Sequence, residues 1–532
     1  MKNFGSSSMK PGLIFFNCST KISCFMSTFI FLAVKYIMNP LMLHLCYFTA
    51  LSLLGYFLLS VTKPRTHSTT PKTFDVFFTS VSAATDSSMG TVEMEIFSNS
   101  QLIIMTILML AGGEVFMSML ELFFINSKLP KHNDHLLITP SSKPTKSVEQ
   151  IELNSICCSE KTDHISFDNK NKNKNNNNTI LKHNSIRYLC YVVLGYFLIV
   201  HVGGLCLVLW YISLIPSAKH VLEQKGLQAE TFSVFTIVST FSNCGFVPTN
   251  ENMIVFKENS GLLLLLIPQV LLGNTLYPAC LRFAIWVLKK ITKREECDFL
   301  LKNYREIGYD HLLSRSRSCF LAITVFGFII VQLVIFCSLE WNSEAMDDLN
   351  FYQKLVASLF EVVNSRHTGE SVLDLSIISP AILVLFVVMM YLPPYTSFLP
   401  ARNCDEGDSK NCKEKEKETK SLLECLVFSQ LSYLAIFIIV ICITEKHKMK
   451  QDPLNFNVLS ITIEVISAYG NVGFSTGYSC ERQLKPEISC KDKWFGLVGK
   501  WSNGGKLILI LVMFFGRIKK FNMKGGKAWK LS

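Results

Sequence analysis

Four stretches of the chain repeat one spacing of residue types: Phe78-Thr-Ser-Val-Ser82-Ala-Ala-Thr-Asp86-Ser-Ser88, Phe235-Thr-Ile-Val-Ser239-Thr-Phe-Ser-Asn243-Cys-Gly245, Leu359-Phe-Glu-Val-Val363-Asn-Ser-Arg-His367-Thr-Gly369 and Ile463-Glu-Val-Ile-Ser467-Ala-Tyr-Gly-Asn471-Val-Gly473. Each passes from apolar and β-branched residues into small or polar ones and ends on Ser or Gly. Backbone carbonyls arranged around an axis can replace the hydration shell of a small cation, and Gly supplies the unusual backbone angles that turn them inward. One such Gly taken alone reads more readily as a site of close helix packing than as an ion site. Four in register point to a cation-conducting pore built from an internal repeat.

The elements that must position these tips are also legible. Each stretch is about a dozen residues, too short to cross a bilayer, and suits a re-entrant helix followed by extended chain. Long apolar segments flank them, near 41–61, 101–126, 188–214, 261–288, 318–339, 376–398, 424–443 and 505–518. The expected fold is an all-α integral membrane protein: eight transmembrane helices, arranged as four helix/re-entrant pore loop/helix repeats around a pseudo-fourfold axis. Pore repeats are expected at 41–126, 188–290, 318–399 and 424–522. A cytosolic amino-terminal segment (1–40), cytosolic linkers (127–187, 291–317 and 400–423) and a cytosolic carboxyl terminus (523–532) complete the chain. The first and last of these linkers, rich in Asn with Lys and in Lys with Glu, are expected to be disordered.

Composition agrees: 532 residues with 49% hydrophobic and 17% charged, and a mean hydropathy of +0.31, leave too little charge to cover a water-soluble enzyme. The net charge of +11 lies mainly between the apolar segments; it favours no nucleic acid partner, and it orients the connecting links to the cytosol by the positive-inside tendency. No phosphate-binding loop of the Walker type is present. His44, His201 and His311 are isolated, and the Cys residues show no zinc-like spacing. No cofactor or enzymatic centre is expected. Cys480 and Cys490 flank a polar loop placed outside the membrane, where a disulfide is one of two open readings. The sequon at Asn17 is read as unused on a cytosolic amino terminus.

Ser88 in Ser-Ser-Met-Gly-Thr-Val-Glu-Met-Glu, the run Ser239 to Met253, Val363-Asn-Ser-Arg-His-Thr-Gly-Glu370 and Ser467 to Tyr478 resemble the pore loops of the plant high-affinity potassium transporter (HKT) family, in the Trk/Ktr/HKT superfamily of cation transporters. The likeness extends from about Leu41 to Trp529. It implies a selectivity filter of Ser88, Gly245, Gly369 and Gly473, one from each repeat, holding the transported ion. Ser in the first repeat resembles the sodium-selective subfamily I type. The resemblance therefore implies passive sodium transport at a plant plasma membrane, in sodium homeostasis and salt tolerance, by a homodimer in contact with membrane lipid. The alternative is sodium and potassium co-transport or potassium-preferring uptake, with Asp86 altering selectivity.

Asp86, Asn243, His367 and Asn471 align just before the filter positions, and Asp86 departs from the Val usual in the family. Its carboxylate either concentrates or coordinates cations, or is hydrogen-bonded behind the filter. Glu93, Glu95, Glu251 and Glu370 follow the filter positions and either enrich cations in an outer vestibule or serve as ordinary loop residues. For Arg366 and His367 a structural hydrogen bond or salt bridge is favoured over ion handling. Arg517, at the end of the last apolar run, either gates permeation below the filter or snorkels to the headgroups.

Overall fold

The computed structural model describes residues 40–65, 71–128, 165–396, 430–484 and 490–522. The amino-terminal segment before Pro40, the linker expected at 400–423, residues 523–532 and the Asn17 sequon lie outside them. Among the described residues the regular structure is helical, apart from isolated bridges such as the antiparallel one between Tyr478 and Lys493.

The four pore helices are Thr73–Ala84, Ala229–Ser242, Phe351–Asn364 and Val458–Gly470, of 12, 14, 14 and 13 residues. At 1.5 Å per residue they extend roughly 20 Å, short of the roughly 30 Å hydrocarbon core. A helix that stops partway must be buried in protein, because lipid offers nothing to its terminal backbone groups. The carboxyl-terminal halves of these helices are accordingly buried.

Each pore helix sits between two apolar elements, longer than it in every case but Pro380–Tyr391 of the third repeat. In the first repeat these are Pro40–Val61 and the bent pair Asn99–Gly112 with Glu114–Lys128, which turns by 59°. In the second they are Ile165–Leu214 and the pair Ser260–Leu272 with Tyr277–Thr292, bent by 85°. The third repeat has Arg315–Glu340 and Pro380–Tyr391, and the fourth Gln430–Thr444 and Asn503–Asn522. Leu53, Phe57, Ile199, Trp210, Ile330 and Val334 leave large apolar side chains exposed on these helices, as a lipid-facing surface requires.

Two boundaries differ from the expected ones. The helix that opens the second repeat starts at Ile165, so the Asn- and Lys-rich run at its start has helical backbone instead of forming part of a disordered linker over 127–187. The segment expected at 376–398 is helical only over Pro380–Tyr391. Pro393 and Pro394 follow at once, and proline both removes a donor and disfavours the helical conformation of the residue before it. The link at 291–317 carries its own short helices, Glu295–Lys302 and Tyr304–Ile307.

A second repeating device locks three of the four pore helices to the helix that follows them. A Cβ built on Gly112, Gly273 or Gly516 would fall on the carbonyl oxygen of Ala84, Phe241 or Tyr469 respectively. Those carbonyls belong to residues four positions before Ser88, Gly245 and Gly473, the same level in three repeats. The Gly273→Ala variant is expected to lose about 1–3 kcal/mol through overpacking. Gly327→Ala, on a helix face with nothing within 4 Å, is expected to hold or raise stability. Thermal midpoints of detergent-solubilised protein compare them; equal midpoints for the two variants would contradict the packing.

Candidate functional site

The pore helices deliver their carboxyl ends to one place, where each chain makes a tight turn. Asp86, Asn243 and Asn471 take left-handed conformations just past the helix ends, at φ of 51°, 61° and 47°. Short polar side chains are among the few that tolerate this region, which accounts for the Asp/Asn level seen in the sequence. His367 does not share it. Two residues on, all four expected filter residues have positive φ: 49° for Ser88, 89° for Gly245, 66° for Gly369 and 104° for Gly473. Three positions hold Gly, and Ser88 carries the strain of a side chain there.

These turns are fastened by pore-helix side chains. The Ser82 hydroxyl accepts the backbone N–H of Met89 at 2.8 Å, Ser239 that of Gly245 at 3.0 Å and Ser467 that of Gly473 at 2.9 Å. The third repeat has Val363 at this level, and the Gly369 N–H bonds the Asn364 carbonyl at 3.1 Å instead. Beyond the turns, Glu361 accepts from the Ser371 hydroxyl at 3.2 Å and the Val372 N–H at 3.0 Å, and Glu464 accepts from the Ser475 hydroxyl. Glu361 and Glu464 were missed as functional residues in the sequence. Their signal was an acid inside an apolar helix, which in a membrane marks a candidate site.

The four tips form a closed ring. A Cβ on Gly245 would meet the Thr368 carbonyl, one on Gly369 the Val472 carbonyl, and one on Gly473 the Ser88 side chain. Beyond the tips the Glu95 N–H donates to Asn250 Oδ1 at 3.1 Å and joins the first repeat to the second. Ser88, Gly245, Gly369 and Gly473 all line one open cavity of about 600 Å³. Its other walls come from residues that follow the tips, among them Thr249, Ser371, Asp374, Ser475 and Thr476.

The expected outer carboxylates fare differently. None of Glu93, Glu95, Glu251 and Glu370 is among the residues lining this cavity. Glu370 is a correction: it is fully buried and accepts a 2.6 Å hydrogen bond from Thr240, tying the second and third repeats behind the tips. Lys225 bridges Glu95 at 2.8 Å and Glu251 at 2.6 Å. Burial draws the Lys225 pKa down, but hydrogen bonds and charge from Glu251 and Glu95 outweigh it and leave the ammonium above its ordinary value. The carboxylate that does line the cavity is Asp374, five residues past Gly369, which the sequence reading missed; it accepts from the Ser376 N–H at 2.9 Å and hydroxyl at 2.7 Å. Cys480 and Cys490 are joined as a disulfide, resolving the reading left open.

Asp86 and Arg517, treated separately in the sequence, are partners. Arg517 Nη2 donates to Asp86 Oδ2 at 2.8 Å and to the Gly112 carbonyl, with the guanidinium 5.7 Å from the Phe48 ring centre. Asp86 is fully buried and Arg517 is 2% exposed, so Arg517 does not snorkel. A parallel pair, Asp75 with Lys506 at 2.6 Å, lies eleven residues earlier on both segments, about three helical turns. Together the two pairs fix the first pore helix to the last helix. Asp86→Val or Arg517→Met alone leaves a buried charge unpaired and is expected to cost about 3–5 kcal/mol, whereas the double variant recovers most of that loss. Thermal midpoints around this double-mutant cycle give the coupling; additive losses would contradict it.

The sequence is similar to those of known proteins. A family model described as TrkH, cation transport protein, matches residues 165–399 and 402–523. Cation transporter HKT1;3 of Oryza sativa subsp. japonica is 51% identical over 493 residues, covering 93% of this chain and 92% of that protein. Sodium transporter HKT1 of Arabidopsis thaliana is 50% identical over 483 residues, covering 89% and 91%. The crystal structure of the potassium transporter TrkH from Vibrio parahaemolyticus aligns with 91% of this chain and 84% of its own, at 12% identity and a TM-score of 0.49. By the family match and by that identity across nearly its whole length, this chain belongs to the TrkH cation transport family and, within it, to the HKT cation transporters, which are membrane transporters and not enzymes.

Proposed function

We propose that this cation transporter passes sodium down its electrochemical gradient through a filter formed by Ser88, Gly245, Gly369 and Gly473. The observation that carries the reading is the closed ring of these four residues around one cavity, each with left-handed backbone. Such backbone survives at membrane depth only when buried in protein or lining water. Carbonyl oxygens at that level replace ion hydration, and no cofactor is required. Entry of one positive charge across an inside-negative membrane gains roughly 2.3 kcal/mol per 100 mV, sufficient to drive uptake without ATP.

Ser88 sets the selectivity in this reading. Its side chain packs against the Gly473 Cα, so the fourfold cage has one wall unlike the other three. A larger ion that needs contact on every side is handicapped more than sodium. The sodium transporter HKT1 of Arabidopsis thaliana, half identical to this chain, supports the same ion. Potassium-preferring transport through Asp86 loses its support, since that carboxylate is engaged with Arg517.

The cavity is the outer mouth in this proposal. The Cys480–Cys490 disulfide lies in the loop that follows the fourth tip, and disulfides persist in oxidising compartments. The basic links, and both termini, then face the cytosol of a plasma membrane. A homodimer surrounded by lipid is the proposed assembly. The Ser88→Gly variant is expected to raise rubidium uptake relative to sodium uptake by roughly tenfold, or ~1.4 kcal/mol. Radiotracer uptake in yeast lacking its own transporters measures the ratio; an unchanged ratio would remove Ser88 from selectivity.

A further inference from the structure

A second cavity, of about 470 Å³, lies between the third and fourth repeats. Residues that precede the filter positions, Arg366 and Gly470, line it together with Gly516, Lys519 and Lys520 at the end of the last helix. The first cavity is walled instead by residues at and after the filter. The second therefore sits on the other side of the ring, the cytosolic side in the orientation proposed above, on which this inference rests.

The chemistry of this cavity is cationic. Arg366, Lys519 and Lys520 line it, with no carboxylate among the described lining residues. Arg366 is 8% exposed; its Nη2 donates to the carbonyls of Pro393 at 2.8 Å and Pro394 at 3.2 Å, and its guanidinium lies 4.9 Å from the Phe328 ring centre. Its Nε and Nη1 are buried with no hydrogen-bond partner. Leaving two N–H groups of a buried guanidinium without acceptors is costly, and the same fork matches the oxygens of a phosphate.

We propose that this cavity binds a phosphate-bearing anion, as a lipid headgroup or as free phosphate, and that the bound charge promotes sodium conduction. Cations lining the inner approach to a sodium filter oppose the ion it must carry. An anion held on Arg366, Lys519 and Lys520 removes that opposition and supplies the acceptors that Arg366 lacks. Regulation by an anion at the inner face follows from the charge of the site alone.

Inside-out patches containing the full chain test this, with sodium current recorded while the cytosolic face is perfused with inorganic pyrophosphate or, separately, short-chain phosphatidylinositol bisphosphate. The current is expected to rise at least about twofold, with the half-maximal concentration increasing roughly fivefold for each lysine changed in Lys519→Gln and Lys520→Gln. A response to both probes supports the site with free phosphate as one source; a response to the lipid alone supports it with the headgroup as the ligand. Sodium current indifferent to both probes would overturn the anion site while leaving sodium conduction standing. An identical dose response in both lysine variants would overturn it too, and because each is a single change at the end of a helix, one inactive variant leaves the other to decide.

Discussion

Unpaired backbone at membrane depth is the constraint on which this molecule is built. A pore helix that ends partway across exposes carbonyls and N–H groups where no water or lipid can take them, and the following turn adds more. The chain answers with its own side chains. Ser82, Ser239 and Ser467 accept the N–H groups at the tips. Glu361 and Glu464 hold the strands beyond. The carbonyls left over are the groups available to an ion. In the proposed filter, tip geometry and backbone satisfaction are two sides of one arrangement, which accounts for the small and polar residues at the ends of otherwise apolar helices.

Charge inside the membrane follows the same economy of partners. Asp86 with Arg517 and Asp75 with Lys506 hold four ionisable groups in pairs, and both pairs join the first repeat to the last. The chain begins and ends its ring there, so these contacts close the pseudo-fourfold arrangement where no covalent connection does. Elsewhere, Lys225 unites Glu95 of the first repeat with Glu251 of the second, and Glu370 with Thr240 joins the second to the third. Three of the four neighbour-to-neighbour boundaries thus have such polar contacts, while apolar packing fills the space between.

Much of this was legible in the sequence because repetition is visible in one dimension. The short apolar runs between long ones gave the pore helices, and their common register marked Ser88, Gly245, Gly369 and Gly473. The Asp/Asn level was visible as a pattern, yet its cause, a left-handed turn after the helix, needed the backbone angles. The pairing of Asp86 with Arg517 joins residues 431 positions apart, beyond what spacing can reveal. Glu370 misled because its place one residue past the filter looked external, whereas the chain turns it back against Thr240. Asp374 was overlooked because nothing in its local sequence distinguishes a cavity wall from an ordinary loop.

The reversal potential of the sodium current carried by the native chain, recorded as external sodium and then potassium are varied tenfold, tests the ring as a sodium filter most directly. The account predicts a shift of about 59 mV for sodium, the single-charge limit, and only a small one for potassium. Equal shifts for the two ions, or none for sodium, would contradict it.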